Sequence, residues 1–465
     1  MKAVFLGGGS LRLLPIFRGL FLKAPEVFRN GEIRLVDRFL ERAEAVGKLV
    51  LACPEYQNVG CKVIWTDDLD AALQGIDVFY LTMAAIREPS NSLAALAGDE
   101  FGYYSSDNLS INGAFLSLRL GKSILGMARK MEKACPQALM LIFPNPIAVY
   151  SALVNNFTKI RALGICGGYN NHRWDLTRLC GRNEFDPAWD VVAAGVNHLS
   201  FILRGNYKGE DLYGSLLPRI LHNDWRCPEI QHHLPEARKA AEDGLHMFHQ
   251  MYQRYGTLIF SSESDGIGHL FWQYVLDQQH RNMAGKTQRS IELAAKDSLD
   301  RQNLRFDEFI QCSKKPETVN WNASSDKAPL FCMDTTDITI PIFQALTGQR
   351  VMRIVASRPN RGAVAGFPDH VPLEYTMDLH KNSITAVENQ YIPAPFHGLI
   401  ASLAEFQSLQ AEAIAKNDAR IFANALDAYP IHAFQAQRIP FFRKMFDIYQ
   451  DLDPDLLAAA KFFQS

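Results

Sequence analysis

The sequence has no surplus of either charge. Its 48 lysines and arginines face 50 aspartates and glutamates, a formal net charge of -2. Such a surface has no field to hold nucleic acid or an anionic membrane, so neither is expected as a partner. Long apolar runs are missing too, so no segment is expected to span a bilayer. Lys2 is followed by too few apolar residues for the core of a secretory signal. The eight cysteines show no paired spacing and no CxxC. A chain of this length needs no disulfide staples, so reduced thiols in a cytoplasm are expected. Repeats and low-complexity tracts are absent. What remains is a globular composition in 465 residues, too long for one ordinary core, so two domains are expected.

What is present is alternation. AVFL (Ala3 to Leu6), EIRLVD ending at Asp37, CKVIW (Cys61 to Trp65), DVFYLTM (Asp77 to Met83), ALMLIF (Ala138 to Phe143) and IRALGIC (Ile160 to Cys166) read as strands. Helical patterns stand between them. This predicts an α/β fold, a doubly wound parallel sheet of the Rossmann kind over residues 1–195. After about Val191 helices dominate, with a small sheet expected around 349–367 and a loop from Lys314 to Met333. Residues 196–465 are expected to form an α+β domain for substrate binding, catalysis and oligomerisation.

Gly7 and Gly9 stand as G-x-G between the first strand and the first helix. Glycine there lets the backbone turn sharply and approach a pyrophosphate at the helix N-terminus. The third glycine of the usual pattern is absent and Arg12 takes its place. Asp37 closes the second strand, where a carboxylate accepts from a ribose 2′-OH and repels a 2′-phosphate. NAD is therefore expected over NADP. The bland alternative is a tight turn followed by a helix cap.

Three more residues follow strands: Asn145 in FPNP, Cys166 in GIC, and His198 beside Asn197 in GVNHLSF. In a doubly wound sheet the carboxyl ends of strands face the ligand crevice. A thiolate and an imidazole are two ligands for a divalent metal, and the open positions left over suit a substrate diol. On spacing alone, a buried apolar thiol and a core histidine come ahead of the metal reading.

GGGS with Pro15, LVDRFLERAEAVGKL, ALQGIDVFYLT with Arg87, NGAFLSLR, FPNP, GIC, GVNH, NRGAVAGFPDHVPLE and AIAKNDARIFANALDAYPI occur in this order. Together they resemble glycoside hydrolase family 4, NAD-dependent glycosidases related in fold to lactate and malate dehydrogenases. The resemblance implies a C-terminal domain like that of those dehydrogenases. It implies NAD held near Gly7, Gly9, Ser10, Asp37 and Arg87, and a divalent metal, usually manganese, on Cys166 and His198. Substrate contacts are implied for Asn145, Arg87, Asn197 and His269. The implied chemistry is oxidation at C3 of a small glycoside, deprotonation at C2, elimination and water addition, with no net redox.

The acid and base segments depart from the family's pattern. Asp99 is the first choice for the acid and Asp107 the second; Tyr255, Asp265 and Tyr274 are candidates for the base. Arg87 and Arg173 could hold an anionic substituent. Other readings are a dehydrogenase of a hydroxy acid or sugar, and a non-catalytic NAD-binding regulator. The family habit implies a homodimer or homotetramer.

Overall fold

The computed structural model describes residues 1–464 except 85–87, 183–187, 222–224, 228, 231–234, 262–263, 323–330, 382 and 433–434. Six short strands come first: β1 (Lys2–Leu6), β2 (Glu32–Val36), β3 (Lys62–Thr66), β4 (Val78–Leu81), β5 (Leu139–Ile142) and β6 (Arg161–Gly164). They pair in parallel in the order β3-β2-β1-β4-β5-β6. Every residue of β4 and β5 is buried, as a sheet covered by helices on both faces requires. Helices Leu13–Lys23, Leu40–Ala52, Ile111–Ala134 and Ile147–Phe157 lie between these strands in the chain. The sequence reading placed each strand within a few residues.

The second half extends the same sheet. Its strands are β7 (Trp189–Val196), β8 (Leu199–Tyr207), β9 (Glu210–Asp211), β10 (Leu258–Ile259), β11 (Met352–Pro359), β12 (Pro372–His380) and β13 (Ser383–Ala386). The order continues from β6 as β11-β12-β7-β8-β10, giving one 13-stranded sheet among the described residues. The separate small sheet expected around 349–367 is thus corrected. β6 would otherwise leave an open hydrogen-bonding edge, and β11 covers it where Ser357 pairs with Gly164.

The expected division after residue 195 falls inside β7, so it divides the chain and not the sheet. The halves also share a core. Helix His397–Lys416 packs on Ile111–Ala134 and Ile147–Phe157. The contact is close enough that a Cβ on Gly121 would sit 2.7 Å from Ile414 Cδ1.

One row of residues joins the two halves of the sheet. Gly164, Ser357, Glu374 and Gly195 form one row across β6, β11, β12 and β7. Cys166 follows two residues after one end of that row. Asn197 and His198, at the tip of the β7–β8 hairpin, follow after the other. β7 runs antiparallel to β6, and side chains tie its hairpin tip to the loops beyond the parallel strands: Asn108 donates to Asn197 Oδ1, and the neighbouring Asp107 accepts from Asn145, which follows β5.

Candidate functional site

The glycine turn after β1 is shaped by close approach. Gly7 has φ +85°, and the N–H groups of Gly7 and Gly8 both donate to Val36 O at 2.9 Å. A Cβ on Gly8 would lie 2.6 Å from Val36 N, and one on Gly9 would lie 2.5 Å from Arg42 Cβ. The Asp37 carboxylate receives Gly9 N–H at 3.0 Å on one oxygen and Phe39 N–H at 2.9 Å on the other. Each oxygen keeps a lone pair for a ribose hydroxyl. Ser10 Oγ accepts from Arg12 N at 3.4 Å as the helix begins. Arg12, where a third glycine is usual, points its guanidinium to Asp337 at 3.1 Å. These residues fit a dinucleotide. Arg87 lies outside the described residues. Gly8→Ala is expected to lower the unfolding free energy by about 1–3 kcal/mol, because overpacking must push β2 away. The check is a lower urea midpoint at unchanged m-value.

The second centre is built from four segments. Ser110 caps helix Ile111–Ala134, its Oγ accepting from Gly113 N at 3.4 Å. The loop before it is pinned by Gln279, which accepts from Ser105 N at 2.9 Å and donates to Tyr103 O at 2.7 Å. That loop carries Asp107, whose Oδ2 accepts from Asn145 Nδ2 at 2.9 Å. Leu109 N donates to Asp265 Oδ2 at 3.3 Å, and the same oxygen lies 3.4 Å from His198 Nδ1. Asn108 donates to Asn197 Oδ1, and Asn197 Nδ2 donates to the buried Glu374 at 2.8 Å. Ser200 Oγ donates to the other Glu374 oxygen.

Electrostatics sorts the titratable groups. Burial holds the Asp107 carboxyl above the usual carboxylate range; the Asp265 carboxylate adds to this, while Asn145 and His198 oppose it. Burial lowers His269, so the ring is neutral with one N–H. Placed on Nδ1, that proton satisfies Asp265 O at 2.8 Å. Nε2 then accepts from Tyr429 OH at 3.1 Å, with Leu109 O also 3.1 Å away. Tyr429 is itself raised well above 10 by burial and by Asp265, so it remains a donor. His269 and Tyr429 brace the backbone that carries Asp265.

Among the described residues, three buried oxygens here accept no hydrogen bond: Asn108 Oδ1, Asn145 Oδ1 and Asp265 Oδ1. A buried acceptor left alone is costly, so the cluster suits hydroxyl donors or a cation. No group of three or more His, Cys, Asp or Glu side chains stands ready for an ion among the described residues. Of the expected metal pair, His198 stands in this cluster, and Cys166 is buried where it follows β6.

The expected site residues divide accordingly. Asp107, Asn145, Asn197, His198, Asp265 and His269 meet in the cluster. Asp99, the first choice for the acid, does not: it sits on helix Ser90–Phe101 and pairs with the exposed His280 at 3.2 Å. Tyr255 does not either: it ends helix Pro235–Tyr255, 39% exposed, with its ring against Phe396. Tyr274 donates to Asp243 at 3.1 Å. Sequence reasoning missed the roles of Glu374, Gln279 and Tyr429. Only Glu374 left a signal, a carboxylate in the middle of the apolar run PLEYTMDL.

Residues 2–180 match the family described as Family 4 glycosyl hydrolase, and residues 193–431 match the Family 4 glycosyl hydrolase C-terminal domain. The chain belongs to glycosyl hydrolase family 4. This family 4 chain is similar to an alpha-galactosidase of Bacillus subtilis (strain 168), 28% identical over 264 residues, 56% of this chain and 57% of that protein. It is also similar to an alpha-galacturonidase of Thermoanaerobacter italicus (strain DSM 9252 / Ab9), 26% identical over 226 residues, 46% of this chain and 47% of that one. The chain spans about half the length of these curated relatives. In fold it resembles a 6-phospho-alpha-glucosidase from gut microorganisms solved in complex with NAD and Mn2+. The TM-score is 0.77 at 18% identity, over 98% of this chain and 99% of that one.

Proposed function

We propose that this protein is an NAD- and divalent-metal-dependent glycosidase acting on a small glycoside. The observation that carries the reading is the meeting of Asp107, Asn145, His198 and Asp265 at the carboxyl edge of a glycine-cradled Rossmann sheet. Membership of family 4, and a structural neighbour holding NAD and Mn2+, support it. Gly7 to Ser10 and Asp37 would hold NAD; Cys166 and His198 would hold the metal, manganese by the neighbour's example. When bound, these groups supply a returnable hydride acceptor and positive charge beside the sugar's C2 and C3 oxygens.

The chain's own residues do the rest. Asp107, whose pKa is raised by burial and by Asp265, gives its proton to the departing glycosidic oxygen. Asp265, positioned by Leu109 N–H and His269, receives the proton from the sugar. Asn145, Asn197 and Asn108 orient the ring's hydroxyls and the hairpin tip. No helix among the described residues is long and apolar enough to cross a membrane, and none of the eight cysteines is in a disulfide. Both are consistent with the reducing cytoplasm we propose as its site of action.

The test supplies NAD+, Mn2+ and a thiol reductant to nucleotide-stripped protein, with aryl galactosides, galacturonides and 6-phosphoglucosides. Aglycone release is expected to require both additions and to slow when C2 carries deuterium. Release indifferent to NAD would refute the proposal, and net NADH accumulation without cleavage would point to a dehydrogenase.

A further inference from the structure

Glu374 lies within β12 opposite Gly195 of β7, and Gly195 lies opposite Ser200 of β8. Cross-strand partners point to the same face of a sheet. Glycine at 195 puts no side chain between the other two, so the glutamate reaches across β7 and Ser200 Oγ donates to one of its oxygens. Its other oxygen accepts from Asn197 Nδ2 at 2.8 Å. Asn197 Oδ1 accepts in turn from Asn108 Nδ2. Both asparagines are fully buried, and Asn108 Oδ1 accepts nothing among the described residues.

This relay of three side chains has a direction. A side-chain amide turned over exchanges donor for acceptor within nearly the same shape. A carboxylate has no such choice, because it only accepts. Glu374 therefore obliges Asn197 to turn its nitrogen to the sheet and its oxygen to Asn108. Asn108 must then donate, which leaves its own oxygen as the free end. With a neutral amide at 374, both asparagines could turn over and Asn108 would offer an N–H instead. Asn108 follows Asp107 in the chain, so that oxygen belongs to the cluster that would receive the sugar. A buried acceptor without a donor is costly, and a bound hydroxyl removes the cost. A carboxylate or a phosphate dianion offers no hydrogen and would be repelled there.

We propose that Glu374 is a positioning residue that fixes the polarity of the substrate pocket, and that Asn108 Oδ1 accepts from a hydroxyl of the sugar. The inference rests on the glycosidase reading for the class of ligand. It goes beyond that reading in saying which edge of the sugar lies here: a neutral, hydroxyl-bearing one, with any anionic substituent held elsewhere.

The direction of the relay can be read without any ligand. Asn108→Asp sets a carboxylate against Asn197 Oδ1, acceptor against acceptor, and is expected to lower the urea midpoint. Adding Glu374→Gln moves the carboxylate from one end of the relay to the other. Asn197 can then turn over, donate to the new carboxylate and accept from the new amide. The double variant is expected to recover most of the lost midpoint, a coupling measured by a double-mutant cycle. Asp265→Asn removes a nearby charge outside the relay and is expected not to rescue Asn108→Asp. The hydroxyl is read by calorimetry on nucleotide-stripped protein. The probes are the tightest-binding aryl glycoside of the panel above and its analogues with one ring hydroxyl replaced by fluorine, which cannot donate. One analogue is expected to bind wild type about tenfold more weakly than the parent, the scale of one hydrogen bond, and to bind Asn108→Ala as well as the parent does. Nothing turns over in this measurement, so a failure of NAD-dependent cleavage would count against the glycosidase reading alone. The proposal would be overturned by the absence of rescue, by equal rescue from Asp265→Asn, by analogues that all bind wild type like the parent, or by a wild type that binds none of the panel.

Discussion

Cys166→Ser and His198→Ala are each expected to lower kcat by roughly a thousandfold or more, while NAD binds as before. Lewis-acid stabilisation by a bound metal is worth several kilocalories per mole, and about 4 kcal/mol is a thousandfold. The cofactor turn stands on β1 and β2, whereas these two residues follow β6 and β7, so one function can be lost without the other. Serine keeps the volume of the thiol and its hydrogen-bonding capacity but is a poor ligand for a borderline-soft ion. The check is a joint titration, with nucleotide binding followed by fluorescence and metal content measured after gel filtration. Retained NAD affinity with lost metal and lost turnover is the expected pattern. Cys166→Ser within tenfold of wild type would remove the thiolate from the metal site and return Cys166 to ordinary core packing.

How much of this was legible depends on how local each signal is. β1 to β6 are short apolar runs with helices between them, so the parallel half could be read along the chain. β7, β8 and β12 could not. VVAAGV and LSFILRGNY have no strict alternation, because much of both strands is buried. The pairing of Ser357 with Gly164 joins residues nearly 200 positions apart, and nothing in either segment names the other. The same limit separates the legible part of the site from the rest. Asn145, Cys166 and His198 stand out because each follows a strand. Asp99 and Asp107 lie in one polar stretch, and what parts them is a helix end. Gly102, at φ +75°, stops helix Ser90–Phe101 after Asp99, and Ser110 starts the next helix after Asp107. A glycine C-cap and a serine N-cap were both readable, and weighing them would have put Asp107 ahead. Glu374 and Tyr429 reach the cluster only through tertiary contacts.

Asp107→Asn is expected to cut kcat by about a hundredfold to ten-thousandfold on alkyl glycosides, the range a general acid supplies. The loss should shrink as the leaving group becomes more acidic, because a nitrophenolate departs without a proton. The substituted amide can still accept from Asn145 Nδ2, so the loop should stay in place. The same change has an opposite effect on stability. Burial and the neighbouring Asp265 raise the pKa of Asp107 in the folded chain. The folded state therefore binds a proton that the unfolded chain releases, and stability falls as pH rises from the ordinary carboxylate range through the folded value. A neutral amide escapes that penalty. The metal-free variant is expected to unfold at higher urea than wild type at neutral pH, and the difference should vanish in acid, where wild-type Asp107 is protonated as well. Slower turnover with greater stability is the signature of a carboxyl held against its own preference for chemistry. Equal losses across leaving groups, with stability unchanged, would assign the proton to another residue and leave Asp107 as a hydrogen-bond partner of Asn145.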